Sequence, residues 1–506
     1  MNGATRESGA TVSSVPLTFA PPPAQPLADV TSELPVRELR GNGATAVSDV
    51  TFRSDEAAPG SLFFCVPGDR ADGHDFAAGA ISRGAAALVV ERWLPAEAPQ
   101  VRVPVVRESM GPVSAAFFDH PSRLVRTIGV TGTNGKTTVT YLLESIFREA
   151  GLVPGLIGTT GVRIDGEPIP FARTTPEAPD LQRLLAQMVA RRVGGVALEV
   201  SSHGLDQHRV DGTSFDVAAF TNLSQDHLDY HGTMQDYFAA KARLFTGAFA
   251  SRAAIGIDSS WGERMVEACE IPATTFGRSH RADLRADDVS VSAEGVSFEA
   301  GGVHVTSQLR GDFNVSNCLA AFAAAGVLGI EPDAIVRGIA GVANVSGRMQ
   351  RVDAGQPFLV LVDYAHTPDG LDRVLHAARS LGAGRVLVVF GCGGDRDRAK
   401  RFPMGRAATA GADHAVITSD NPRSEDPAAI IAEVERGARE GGGSYVVESD
   451  RRAAIRLALR AAAPGDVVVI AGKGHETGQE LADGSVPFDD REVAAQELRV
   501  LRGEAS

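Results

Sequence analysis

The stretch RTIGVTGTNGKTT, residues 126–138, decides how this chain folds. An apolar run is followed by a Gly-rich loop and then by a pattern that predicts a helix from Lys136 to about Ala150. Such a loop presents backbone N–H groups and a helix N-terminus to phosphate oxygens. The spacing departs from G-x-x-x-x-G-K-[ST], because position 130 is Val. The preceding strand, the Lys-Thr-Thr and the following helix nevertheless favour phosphate binding over a generic Gly turn.

Six further polar segments follow apolar runs in the same way. They are EVSSHGLDQHR (199–209), TNLSQDHLDYHG (221–232), DYAHTPD (363–369), GCGGDRDRAKR (391–401), SDNPR (419–423) and GKGHE (472–476). Alternating strands and helices predict parallel sheets, and ligands bind beyond the carboxyl ends of parallel strands. Because these loops fall in two regions of the chain, we expect sites on two sheets with a cleft between them.

The chain divides into a leader and three units. The start is rich in Pro, Ala, Ser and Thr, so we expect a disordered leader at 1–34. The units are predicted at 35–123, 124–345 and 346–506. An alternating segment at 285–310 predicts an antiparallel meander within the second unit. Strands of the third unit are predicted at 358–362, 385–390, 413–418, 444–447 and 466–471.

Composition excludes several function classes. The 506 residues carry a net charge of -14, which argues against nucleic acid or an anionic membrane as a partner. No run of 18 apolar residues predicts a transmembrane helix, and the N-terminus does not resemble a signal peptide. Scattered cysteines without a C-x-x-C pair fit a reducing, cytoplasmic setting without a structural zinc site.

Lysine is rare, because only Lys136, Lys241, Lys400 and Lys473 stand among 49 basic residues. Lysine is a compact charge that can lose its proton, whereas arginine is a planar fork that stays charged. These lysines are either leftovers of a biased genome or residues kept where arginine cannot serve. Lys241, in the helical run MQDYFAAKARLF, is correspondingly either a solvated helix residue or a site residue.

Two loops of the second unit carry candidate metal ligands. Glu199 ends an apolar strand, where a carboxylate is costly unless it is paired or metal-bound, and its hard oxygen suits Mg²⁺. A capped helix start is the alternative for this loop. His227 lies in the next loop, but Mg²⁺ prefers oxygen, so spacing alone leaves the role of this histidine open.

The third unit carries a candidate amino-acid pocket. Arg396 and Arg423 lie on neighbouring loops, and guanidinium groups bind carboxylates in bidentate fashion. Asp420 and Glu476 add carboxylates that suit an ammonium group. This set describes an amino-acid pocket better than a phosphate pocket, with surface ion pairs as the alternative.

Together with GDFNVSNCLAA (311–321) and SGRMQRV (346–352), these motifs resemble the Mur ligases of peptidoglycan synthesis, and among them the members that add 2,6-diaminopimelate. The resemblance runs from about residue 50 to the C-terminus. It implies an α/β fold of three domains: a small UDP-binding domain, a central P-loop ATPase-like domain and a C-terminal Rossmann-like domain. It also implies ATP-dependent amide-bond formation through an acyl phosphate. The implied substrates are ATP, UDP-MurNAc-L-Ala-D-Glu and meso-diaminopimelate, acted on by a monomer in cell-wall biogenesis.

The resemblance assigns roles residue by residue. Lys136 acts in catalysis, and Mg²⁺, with two ions expected, is held by Thr137, Glu199, His227 and Lys241, the last as a carbamate formed with CO₂. The ATP contacts are Gly132, Thr133, Asn134, Gly135, Lys136, Thr137, Thr138, Asn317, Arg348 and Asp363. The UDP-muramoyl dipeptide contacts are Ser54, Thr174, Thr175, Ser201, Gln207 and Arg209. The diaminopimelate contacts are Arg396, Asp420, Asn421, Pro422, Arg423, Gly472 and Glu476.

The N-terminal unit departs from the family, whose usual Asp-Ser-Arg reads Arg53-Ser54-Asp55 here. The alternatives are a relative that adds L-lysine or another amino acid, folylpolyglutamate synthetase, and a P-loop switch protein. The motif DNPR (420–423), together with GGDR (393–396), argues against the other ligases. A switch protein would need neither seven polar strand-end loops nor an amino-acid pocket.

Overall fold

A computed structural model describes residues 22–68, 71–169, 171, 173–292, 294–382 and 384–503. The predicted α/β class is confirmed. Within the described ranges, no helix is both long and apolar enough to cross a membrane.

The first unit is built around a small, mostly parallel sheet. In chain order its elements are β1 (Gln25–Pro26), α1 (Leu27–Val30), β2 (Glu38–Arg40), β3 (Ala46–Val47), β4 (Asp49–Thr51), β5 (Ser61–Phe64), α2 (Ala77–Ser82), β6 (Ala87–Val90), β7 (Gln100–Arg102) and α3 (Val106–Phe117). The sheet order is β2-β7-β6-β5-β4, with β2 antiparallel to β7.

The predicted end of the leader at residue 34 is wrong. Gln25 and Pro26 pair with Val47 and Ala46, and the Leu27 side chain is fully buried in the core of this unit. Burying such a side chain is worth about 1.5–3 kcal/mol, which offsets the backbone ordering cost of one or two residues, and Val30 is buried as well. Residues 1–21 lie outside the described ranges.

The second unit contains the long central sheet and the predicted meander. In chain order its elements are β8 (Arg126–Thr131), α4 (Lys136–Glu149), β9 (Pro154–Gly158), β10 (Gly161–Ile164), β11 (Glu167–Ile169), α5 (Ala178–Ala190), β12 (Gly195–Glu199), α6 (Ser202–Asp206), β13 (Phe215–Phe220), α7 (Leu228–His231), α8 (Met234–Ala242), β14 (Ala250–Gly256), α9 (Ser260–Ala268), β15 (Ala273–Gly277), β16 (Leu284–Arg285), β17 (Asp287–Val291), β18 (Val296–Ala300), β19 (Val303–Ser307), α10 (Phe313–Leu328) and α11 (Pro332–Ala340).

The central sheet has the order β11-β10-β9-β12-β8-β13-β14-β15-β16. Its parallel strands are β9, β12, β8, β13, β14, β15 and β16. Successive residues of β12 face opposite cores: Ala197 packs with α4 and α10, and Leu198 packs with α5 and α8. Helices therefore cover both faces, as expected for a parallel sheet. The antiparallel meander β17-β18-β19 is confirmed.

The third unit is a second parallel sheet with helices on both faces. In chain order its elements are β20 (Gln350–Arg351), β21 (Leu359–Asp363), α12 (Pro368–Leu381), β22 (Val386–Phe390), α13 (Arg401–Gly411), β23 (His414–Ile417), α14 (Pro427–Gly441), β24 (Ser444–Val447), α15 (Arg451–Ala461), β25 (Val467–Ala471), β26 (Gly478–Leu481), β27 (Gly484–Pro487) and α16 (Asp490–Leu501). The sheet order is β20-β21-β25-β22-β23-β24, with only β20 antiparallel among these strands.

All seven polar segments lie at carboxyl ends of parallel strands, as predicted. β12, β8 and β13 are neighbours in the central sheet, and β21, β25, β22 and β23 are neighbours in the last sheet. Each set of loops is thereby gathered at one edge of its sheet, where ligands bind in open α/β folds.

Candidate active site

The loop between β8 and α4 is shaped by two glycines. Gly132 (φ 146°) and Gly135 (φ 90°) have left-handed backbones that favour glycine. A Cβ on Gly132 would lie 2.0 Å from Thr221 Oγ1, and one on Gly135 would lie 2.3 Å from Asn317 Oδ1. The loop is therefore held open at the start of a helix, the arrangement that binds phosphate.

Asn222 fixes this loop and was missed in the sequence. Its Oδ1 accepts from Asn134 N at 3.0 Å, its Nδ2 donates to Asn134 O at 3.1 Å, and its own carbonyl accepts from Thr133 N at 2.9 Å. The available signal was its position directly after β13, in a loop already singled out for its histidines and aspartates.

Two of the rare lysines meet at one carbonyl of the loop. Lys136 Nζ donates to Gly132 O at 2.9 Å, and Lys241 Nζ donates to the same oxygen at 3.0 Å. Lys241 is 1% exposed, and its ammonium lies 4.6 Å from the Tyr237 ring centroid. Burial, reinforced by the nearby Lys136, holds the pKa of Lys241 well below its usual range. Lys241 is thus a buried neighbour of the Gly-rich loop and not a solvated helix residue.

Glu199 is fully buried among hydroxyl groups. Its Oε2 accepts from Thr137 Oγ1 at 3.1 Å and from Thr159 Oγ1 at 3.0 Å, and its Oε1 accepts from Thr159 N at 2.9 Å. Arg348 Nη2 also donates to Thr137 Oγ1 at 3.2 Å. The chemistry of this donor set, a carboxylate beside hydroxyls at the mouth of a phosphate loop, fits Mg²⁺.

His227 lies at the start of α7 with a left-handed backbone (φ 54°). Its Nε2 is 3.4 Å from Asp226 Oδ2, and its ring centroid is 4.8 Å from that of His203 and 6.1 Å from that of Tyr237. Burial and nearby cations lower the pKa of His227, which favours the neutral ring that a metal requires. Across the described residues, no three His, Cys, Asp or Glu side chains cluster as a metal site.

A cleft separates the second and third units. The Gly-rich loop forms one wall, and the loop that follows β21 forms the other, with Arg348 between them and its guanidinium 4.7 Å from the Tyr364 ring centroid. Of the predicted ATP contacts, this cleft is lined by Asn134, Gly135, Thr137, Thr138, Asn317, Arg348 and Asp363. Asp363 Oδ2 and Oδ1 accept from Met349 N and Ala365 N, at 2.7 and 2.8 Å, so this carboxylate shapes the second wall.

The predicted dipeptide contacts of the second unit lie together. Thr175 Oγ1 donates to Glu199 O at 2.9 Å and contacts Ser201 Oγ at 3.1 Å. Arg209 Nη1 donates to Thr175 O at 3.2 Å, and Arg209 also contacts Gln207. Thr174 joins the group through Thr159, at 3.0 Å. Ser54 lies in a short helical turn of the first unit (Ser54–Glu56).

Glu177 was not predicted, although it anchors this group. Its carboxylate receives Arg209 at 3.1 Å, Arg173 at 2.7 Å and Arg107 of the first unit at 3.1 Å. Three guanidinium groups thus share one carboxylate, which leaves the region positively charged beside Thr175.

The predicted amino-acid contacts of the third unit fall into two groups. One group contains Asp420, Asn421, Gly472 and Glu476, and the other contains Arg396 and Arg423. Asn421 Nδ2 donates to Glu476 Oε2 at 2.9 Å. A Cβ on Gly472 (φ 113°) would lie 2.5 Å from Asp420 Oδ2, so glycine allows these two loops to touch. The remaining predicted contact is Pro422. A Cβ on Gly394 would lie 1.9 Å from the Pro422 carbonyl oxygen, so the loop of Asp420 touches the loop of Arg396 at this point.

The two predicted arginines lie near the rim. Arg423 (φ 53°) donates through Nη1 to Gly394 O at 2.8 Å, and its Nε is 2.5 Å from Glu480 Oε2. The Glu480 side chain is 53% exposed, so a ligand carboxylate can displace it. Arg396 Nη1 donates to Asp395 O at 3.1 Å.

Beneath these loops lies a buried ion pair that was also missed. Arg451 donates through Nε and Nη2 to the two oxygens of Asp490, at 2.8 and 2.6 Å, and both side chains are 0% exposed. Arg451 also donates to Ala471 O at 2.9 Å and to Ser419 O at 3.4 Å. These carbonyls directly precede Gly472 and Asp420, so the pair ties together two strand ends of the pocket.

Fold and site define an α/β protein of the nucleotide-binding class, whose Gly-rich phosphate loop faces a second parallel sheet across a cleft. Three family models match the chain: "Mur ligase family, catalytic domain" over residues 31–117, "Mur ligase middle domain" over 130–325 and "Mur ligase, glutamate ligase domain" over 347–474. The chain belongs to the Mur ligase family, as its motifs predicted.

Two relatives that match nearly over their full length carry the same name. The UDP-N-acetylmuramoyl-L-alanyl-D-glutamate–2,6-diaminopimelate ligase of Geobacillus thermodenitrificans is 45% identical over 482 residues, covering 93% of this chain and 99% of the relative. The enzyme of that name from Streptomyces avermitilis is 44% identical over 495 residues, with coverages of 93% and 98%. A solved structure of such a ligase superposes with a TM-score of 0.68 at 32% identity, covering 95% of this chain and 99% of that one.

Proposed function

We propose that this chain joins meso-diaminopimelate to UDP-MurNAc-L-Ala-D-Glu at the expense of ATP, as an acid–amino-acid ligase of peptidoglycan synthesis. The observation that carries the proposal is that a phosphate loop faces a candidate amino-acid pocket across one cleft, in a chain similar over 93% of its length to enzymes named for this reaction. The three-unit division at 35–123, 124–345 and 346–506 belongs to this proposal, with the first boundary moved back to about residue 25.

ATP is proposed to lie between the Gly-rich loop and Arg348. Lys136 is partly buried, and its ammonium already rests on loop carbonyls, where it would neutralise the β- and γ-phosphates. The γ-carboxylate of D-glutamate attacks the γ-phosphorus, ADP leaves, and an acyl phosphate forms. The amine of diaminopimelate then attacks the acyl carbon, loses a proton, and inorganic phosphate leaves. Lys136 stabilises the charge on the transferred phosphoryl group.

The proposed ligands of Mg²⁺ are Thr137, Glu199, His227 and carbamylated Lys241. Bound Mg²⁺, two ions in the proposal, would neutralise charge on the phosphates. The carbamate forms when the neutral Lys241 amine attacks CO₂ and loses a proton. Support comes from geometry: among the described residues, Lys241 has no ion-pair partner, and its contacts are a carbonyl and an aromatic ring. Arginine cannot form this carbamate, which is a reason for lysine in an arginine-rich chain.

The dipeptide is proposed to lie along Thr174, Thr175, Ser201, Gln207 and Arg209, with the UDP group at Ser54. The positive charge around Glu177 supports an anionic substrate there. Diaminopimelate is proposed to contact Arg396, Asp420, Asn421, Pro422, Arg423, Gly472 and Glu476. Its carboxylates suit the arginines, and its ammonium groups suit Asp420 and Glu476.

We further propose that the enzyme acts as a monomer in the cytoplasm. The molar mass from light scattering tests whether the enzyme is a monomer.

The proposed reaction is tested by leaving out one substrate at a time. Sustained, multiple-turnover ADP release should require ATP, Mg²⁺, the UDP-dipeptide and meso-diaminopimelate together. ADP release that continues without the UDP-dipeptide or without any amino acid would contradict the proposal and favour a nucleotide-driven switch.

A further inference from the structure

Lys473 is a buried lysine that the reaction above leaves without a task. It lies in the GKGHE loop after β25 and is 0% exposed. Its ammonium donates to Asn421 Oδ1 at 2.8 Å and to Glu476 Oε2 at 3.1 Å, and Asp420 Oδ1 is 3.9 Å away. One cation therefore contacts or faces three of the residues proposed to bind the amino acid.

The contacts of Lys473 fix the orientation of the Asn421 amide. Asn421 Oδ1 accepts from the lysine and also from Glu480 N at 3.0 Å. An ammonium group can only donate, so the amide oxygen must face it. The amide nitrogen is thereby turned toward Glu476, to which it donates at 2.9 Å. Without the lysine, the oxygen would keep only one backbone donor, and a flipped amide would compete.

The same contacts set the position of the Glu476 carboxylate. Its side chain is 31% exposed whereas Lys473 is fully buried, so the lysine lies beneath and the carboxylate reaches toward the pocket. The Lys473 ammonium and the Asn421 amide both donate to one oxygen of this carboxylate, Oε2. Hydrogen bonds to charged groups in such surroundings are stronger than neutral ones.

We propose that Lys473 is a positioning residue of the amino-acid pocket, which holds Asn421 and Glu476 in the orientation that receives the substrate ammonium. This rests on the proposed function. The buried arginines of the same unit, Arg401 and Arg451, each span a carboxylate with their forks. At Lys473 the acceptors are an amide oxygen and a single carboxylate oxygen, which suit a compact cation. This difference in acceptors is a reason why position 473 carries lysine in a chain that otherwise uses arginine.

The test compares Lys473→Met with Arg439→Met, which removes one exposed cation from the same unit. Initial rates are measured with meso-diaminopimelate, L-lysine and ATP as varied substrates, alongside thermal melts. We expect Lys473→Met to lower kcat/KM for diaminopimelate about 10- to 100-fold, mainly through KM, because charged hydrogen bonds within the pocket are lost. The KM for ATP should stay within about twofold of wild type, and the preference for diaminopimelate over L-lysine should change little, because both amino acids carry the ammonium group concerned. Arg439→Met should match wild type.

A second variant separates positioning from folding. In Lys473→Met/Glu476→Gln the Glu476 carboxylate is removed together with its cation, so this protein should fold even if the single variant does not. Against Glu476→Gln alone, the added Lys473→Met change should cost less than it does in wild type, because both changes act through one carboxylate. An unchanged KM for diaminopimelate, equal losses for ATP and diaminopimelate, or unfolding of both variants would overturn the proposal. Failure of wild type to use diaminopimelate would instead overturn the proposed function.

Discussion

Replacing Arg451 with methionine should loosen the third unit far more than replacing its neighbour Arg452. Arg451→Met leaves the fully buried Asp490 without its bidentate partner and leaves the carbonyls of Ala471 and Ser419 without a donor. Removing one partner of a buried pair costs about 3–5 kcal/mol. Arg452 is 41% exposed and pairs with Glu497, so Arg452→Met should cost about 0–1 kcal/mol.

Hydrogen exchange is the suitable assay, because both tryptophans of the chain, Trp93 and Trp261, lie outside the third unit. Amide exchange of β25, in wild type and both variants, reports the local free energy of opening. A cost of 3–5 kcal/mol corresponds to about 100- to 5,000-fold faster exchange in Arg451→Met. Arg451→Met/Asp490→Leu, which removes both charges, should recover much of the protection. Exchange of β25 in Arg451→Met within about threefold of that in Arg452→Met would refute the reasoning.

Further predictions concern the nucleotide side of the cleft. Gly135→Ala should lower kcat/KM for ATP at least about 10-fold, because its Cβ would collide with Asn317 at a left-handed backbone; unchanged ATP kinetics would contradict the loop geometry. Lys241→Ala and Lys241→Arg should both lose most activity, and a short-chain carboxylate should partly restore the alanine variant; near-normal turnover of Lys241→Arg would exclude the carbamate. Glu199→Ala should abolish phosphate release while the thermal melt shows a folded protein, and an unfolded variant would assign Glu199 to structure instead.

Much of the fold could be predicted because its strands are continuous apolar runs that end in polar loops. Five of the eight strands described in the third unit were predicted to within about one residue at each end; β21 was expected at 358–362 and lies at Leu359–Asp363, whereas β20, β26 and β27 were not predicted. The leader boundary failed because α1 is a single turn beside prolines, too short to carry a helical period.

The contacts that organise the site could not be predicted in the same way. Glu177 gathers arginines from two units, and Arg451 reaches Asp490 across 39 residues of sequence. Such pairings depend on tertiary packing, which leaves no local pattern in a single sequence. Lys473 was signalled only by the rarity of lysine, and its partner Asn421 only by its place in the DNPR loop.

Selectivity between meso-diaminopimelate and L-lysine tests the central claim most directly. Diaminopimelate carries a second carboxylate, for which Arg423 is the proposed partner once Glu480 is displaced. With ATP and the UDP-dipeptide held constant, kcat/KM for meso-diaminopimelate should exceed that for L-lysine by ~10²-fold or more, because L-lysine lacks the carboxylate that Arg423 would bind. Arg423→Ala should narrow that ratio while the KM for ATP stays nearly unchanged. Equal use of the two amino acids by wild type, or an unchanged ratio in Arg423→Ala, would contradict the account.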